Sequence, residues 1–60
     1  MGMGETVKIS PEITGLNDWI LGKVIDIEEN PFNGIVIAAE DNSGRIFFDR
    51  EEFFKADNPQ

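Results

Sequence analysis

Side chains able to carry chemistry are few in this chain, which contains no His, no Cys and no Tyr. The commonest general base and the usual nucleophile and base pairs are therefore missing. Ser10 and Ser43 stand beside Pro11 and Gly44 in turn-like sequence, where a hydroxyl ordinarily bonds its own backbone. The carboxylate pairs Glu28-Glu29, Glu40-Asp41 and Glu51-Glu52 could do acid-base work only by converging in a hollow. A single domain of 60 residues has little room for one, so the pairs read as a solvated rim and the chain as a non-enzyme without a cofactor. Asp41, Asn42, Ser43 and Asp49 offer oxygen ligands of the kind calcium takes, but the regular D-x-[DN]-x-[DN]-G loop is absent and no metal is expected. No Gly-rich phosphate cradle carrying a Lys occurs either.

Charge narrows the partner class. Twelve acidic residues against five basic ones give a formal charge of −7, which disfavours phosphate backbones and anionic lipid surfaces. The acid either keeps a small protein soluble or forms a face for a basic partner. No apolar run approaches the roughly 20 residues of a membrane-spanning helix, and the N-terminus lacks signal-peptide regions. A cytoplasmic protein, monomeric or weakly homodimeric, is the expectation. The opening Met1-Gly2-Met3-Gly4-Glu5-Thr6 fits the loose myristoylation pattern, but one acyl chain without a polybasic patch anchors only marginally.

Aromatic side chains carry more information. Five Phe and one Trp are too many for so small a core, and those left outside would mark a contact surface. Phe48 shares a strand face with Ile46 and is expected in the core, as is Phe53. Phe47 shares its face with Arg45 and Asp49, so it is expected at the surface. Lys23, Arg45 and Phe47 would then form a small cationic and aromatic patch for a partner. Phe32 stands at a hairpin tip, folded back over Ile35 or Trp19, or exposed. Trp19 is either a core anchor or an exposed indole beside the same surface.

The elements that must position these residues follow from the alternation of apolar positions. Residues 5 to 9 read as a short strand with Val7 and Ile9 inward, ended by Pro11. Residues 11 to 18 read as an irregular loop pinned by Ile13 and Leu16. The organising feature is a hairpin over residues 22 to 39, whose turn holds Asn30, Pro31, Asn33 and Gly34. Its first strand, residues 19 to 28, is apolar on both faces, as a bent strand would be, with Gly22 as the bend. A second turn at residues 41 to 44 leads to a third meander strand, residues 45 to 49. Asp49 with Glu52 gives a capping-box pattern and a short helical turn. The single domain is placed at residues 5 to 56, with residues 1 to 4 a disordered N-terminus or an expression remnant and 57 to 60 a frayed tail.

This order of elements resembles the SH3-like small barrel, and the segment Gly22-Lys23-Val24-Ile25-Asp26-Ile27 resembles the G-x-V-x-x-I opening of KOW-type modules over about residues 19 to 40. The resemblance implies an all-β barrel of four to five short strands with a meander core and a helical turn near the C-terminus. It also implies binding of nucleic acid or protein through strand faces and loops. Because the chain is acidic, the expected partner is another protein. An acidic inhibitor imitating nucleic acid is the second reading, and weak single-stranded nucleic-acid binding the third. Candidate partner-binding residues are Phe47, Arg45, Lys23, Phe32 and Trp19.

Overall fold

A computed structural model describes residues 1 to 57. The chain runs through β1 (Thr6–Ile9), α1 (Pro11–Thr14), β2 (Ile20–Asn30), β3 (Gly34–Asp41), β4 (Ile46–Arg50), a 3-10 turn (Glu51–Phe53) and β5 (Phe54–Ala56). All strand pairings are antiparallel, in the order β4-β3-β2-β1-β5. The all-β expectation holds at this level. The sheet is open, however, because β4 and β5 do not pair, so closure into a barrel is not seen.

The sheet nonetheless curls. Val7, Ile9, Val24, Ile37, Ala39 and Phe54 form one buried cluster, although β2 and β1 lie between β3 and β5 in the ladder. A flat sheet would hold these side chains too far apart to touch. Curling also brings α1 against β4 and the 3-10 turn against β3.

The bend in β2 lies elsewhere than expected. Register slips between Val24 and Asp26, so Ile25 is the extra residue of a bulge. The slip explains why β2 is apolar on both faces: Val24 and Ile27 both reach the core side, and Ile25 turns outward. Gly22 serves close approach instead, since a Cβ there would lie 2.7 Å from Ile9 Cδ1 and 3.0 Å from Glu40 O.

Other expectations need correction. Residues 11 to 14 are one helical turn in what was expected to be irregular loop. Ser10 Oγ accepts from Glu12 N at 3.0 Å, Pro11 opens the turn, and Gly15 at φ 76° closes it. All three signals accord with helix-end chemistry. Ile13 packs on the core as expected, but Leu16 is exposed. Near the C-terminus no capping box forms: Arg50 is the capping position without a side-chain bond, and Asp49 Oδ1 accepts from Arg50 N. Phe53 packs against the core, yet the buried aromatic there is Phe54, carried by a strand that the sequence pattern does not announce. Ser10 N–H donates to Phe53 O at 2.9 Å and ties the two ends of the core together. Gly4 N–H donates to Val24 O, and Asp57 N–H to Thr6 O. The rest of the expected tail, residues 58 to 60, lies outside the described residues.

Candidate functional site

Strand β4 is reversed relative to its expected facing. The β3–β4 ladder pairs Ala39 with Phe47 and Ala38 with Phe48, and Ala39 belongs to the core cluster. Phe47 therefore turns inward and packs on the core, while Ile46 and Phe48 point outward, each 59% exposed. Hydrophobicity alone favours the other face because Ile46 with Phe48 is more apolar than Phe47 with Asp49. The turn supplied the missing signal: once Asp41 and Arg45 close it, register forces Ala39 opposite Phe47.

Three rows of outward side chains cross β2, β3 and β4: Lys23, Glu40 and Ile46; Asp26, Ala38 and Phe48; Glu28, Val36 and Arg50. Val36 and Ala38 are buried but stand apart from the core cluster, as the floor of this outer face. A shallow hollow opens where Asn33, Val36, Phe48, Asp49 and Arg50 meet. Along β4 this face presents Ile46, Phe48 and Arg50, and along β2 it presents Lys23, Asp26 and Glu28. Arg50 Nε is 3.7 Å from Glu52 Oε1.

The expected cationic and aromatic patch is split between the two sides of the sheet. Lys23 sits outward opposite Glu40, whereas Phe47 lies on the core side. Arg45 does meet Phe47, with its guanidinium 5.5 Å from the ring centroid, a cation-π distance. The same guanidinium is 3.2 Å from Asp41 Oδ2. Phe32 does not fold back over Ile35 or Trp19; it is 93% exposed. Its turn is held by Asn30 Oδ1, which accepts from the backbone N–H groups of Phe32 and Asn33 at 2.8 and 2.9 Å. Trp19 is half-buried, its ring covered by Lys55 Nζ at 4.3 Å.

Asp41 departs from the solvated rim expected of the Glu40-Asp41 pair. It is buried, and its Oδ1 accepts from Ser43 N, Ser43 Oγ and Arg45 N at 2.8 to 2.9 Å. Its Oδ2 accepts from Arg45 Nε at 3.2 Å. Desolvation pushes the carboxyl upward, but the Ser43 hydroxyl, the Arg45 and Ser43 N–H groups and the Arg45 charge outweigh it, so Asp41 sits below its ordinary pKa. Its oxygens are therefore committed to the turn, and no metal-holding cluster of acidic side chains is found among the described residues.

No protein-family model matches the chain, and no curated protein or solved structure is found to be similar to it.

Proposed function

We propose that this chain is a non-catalytic protein-interaction module of the SH3-like small-barrel class, and that it binds through the outward face of β2, β3 and β4. The observation that carries the reading is the pair Ile46 and Phe48, adjacent on one face and each 59% exposed. A chain of 60 residues has little apolar surface to spare from its core. Two large side chains turned outward over a buried apolar floor suit a contact surface better than a solvated one. The barrel class is supported by the element order and by the curl that gathers side chains of β1, β2, β3 and β5 into one cluster.

The carboxylates Asp26, Glu28 and Glu40 on the same face also suit the second reading, an inhibitor of a basic protein. Salt separates the two. Affinity capture from nuclease-treated source-cell extract, at low and moderate salt, is the test. Partners retained by the native protein at moderate salt, and lost from the Ile46→Ser, Phe48→Ser double variant, support the interaction module. Basic proteins released at moderate salt, or captured equally by both forms, contradict it.

A further inference from the structure

We infer that the occupant of the β2–β3–β4 face is a cationic amphipathic helix; the inference rests on the proposed interaction function and names its partner chemistry. Adjacent strands lie about 4.8 Å apart, so β2 to β4 spans close to the 10–12 Å width of an α-helix with its side chains. A helix laid along β3 would cover all three rows.

The two long edges of that strip differ in chemistry. Ile46 and Phe48 on β4 are apolar and exposed, and the hollow beside Val36 and Phe48 is rimmed by the polar groups of Asn33, Asp49 and Arg50. Asp26 and Glu28 on β2 are exposed, and Glu40 lies in the first row beside them. Of the two cations on the face, Lys23 is opposite Glu40 and Arg50 is beside Glu52. An occupant must therefore present an apolar stripe toward β4 and Lys or Arg toward β2, the pattern of a basic amphipathic helix in a groove.

Charge disfavours the other occupants. A second copy carries the same formal charge of −7, and its paired Lys8 and Lys55 already lie against Asp57 and the Trp19 ring. A phosphate backbone is repelled for the same reason. The chain's remaining lysines lie elsewhere: Lys8 and Lys55 flank each other across β1 and β5, next to Leu21.

The test is an NMR titration of the full chain, 15N-labelled, with a synthetic Leu/Lys peptide of about 18 residues whose Leu side chains fall on one face of a 3.6-residue helix. A scrambled peptide of the same composition is the control. The expected result is amide shifts concentrated at Asp26, Ala38 and Phe48, with little response to the scrambled peptide. Phe48→Ser, checked for an intact spectrum, should weaken binding at least about tenfold, as loss of a central anchor does. Glu28→Gln should weaken it a few-fold, and the off-face Glu12→Gln should leave it unchanged. Equal binding of the scrambled peptide, shifts centred on Lys8 and Lys55, self-association through Phe48, or no binding would overturn the inference. If the peptide fails while Phe48-dependent capture persists, the helix falls and the interaction module stands. If Phe48-dependent capture is itself absent, the broader reading falls.

Discussion

An ideal Cβ on Gly22 would meet Ile9 Cδ1 at 2.7 Å and the Glu40 carbonyl oxygen at 3.0 Å. Ile9 is fully buried and Glu40 O is backbone in the β3 strand, so neither neighbour yields without disturbing the core or the ladder. Gly22→Ala should therefore lower stability by about 1–3 kcal/mol, the range of core overpacking, read as a shift of the urea midpoint at unchanged slope. Asp41 is the second residue on which the fold leans. Its pKa is lowered in the folded state, so its contribution is present above the unfolded value of about 3.9 and is lost as pH falls through the lower folded value. Urea midpoints should decline in that acid window for the native chain, and Asp41→Asn should flatten the decline at that end of the curve. The Asn-Ser-Gly turn was legible in sequence, but the burial of Asp41 was not. A carboxylate beside Glu40 looks solvated until the turn folds the Ser43 and Arg45 donors onto it.

Strand β4 shows what alternation can and cannot supply. Period two identifies a strand over residues 45 to 49, yet it leaves two possible faces, and hydrophobicity alone favours the wrong one. Register through the 41 to 45 turn decides the matter by placing Phe47 opposite Ala39. Serine replacements should separate the faces. Phe47→Ser, partly buried on the core, should cost about 2 kcal/mol, less than a fully buried Phe truncation. Phe48→Ser should shift the urea midpoint by no more than an ordinary surface change, about 0.5 kcal/mol. The hairpin, its Asn30 and Gly34 turn, and the inward Val7 and Ile9 were all legible because each rests on a local rule. α1 and β5 were not: four and three residues are too short to show a period. β5 exists only because curling brings Phe54 to β1. The Ile25 bulge likewise left its trace as a two-faced apolar strand without marking its own position.

At the scale of the molecule, charge and apolar exposure are distributed unevenly. Lys8 and Lys55 gather beside Leu21 on the outward side of β1 and β5, while Asp26 and Glu28 line the edge of the β2–β3–β4 face. With a formal charge of −7 in so small a body, self-repulsion opposes compaction and salt relieves it. The urea midpoint should thus rise between low and moderate salt, whereas docking of a cationic segment should weaken only a few-fold over the same range and persist through its apolar anchors at Ile46 and Phe48. The most direct test of the proposed binding face pairs two readings on the single variant Phe48→Ser: its urea midpoint and its capture of the partners held by the native protein. The expected result is a nearly unchanged midpoint with capture lost. A midpoint that collapses, placing Phe48 in the core, or capture that persists in a fully folded variant would contradict it.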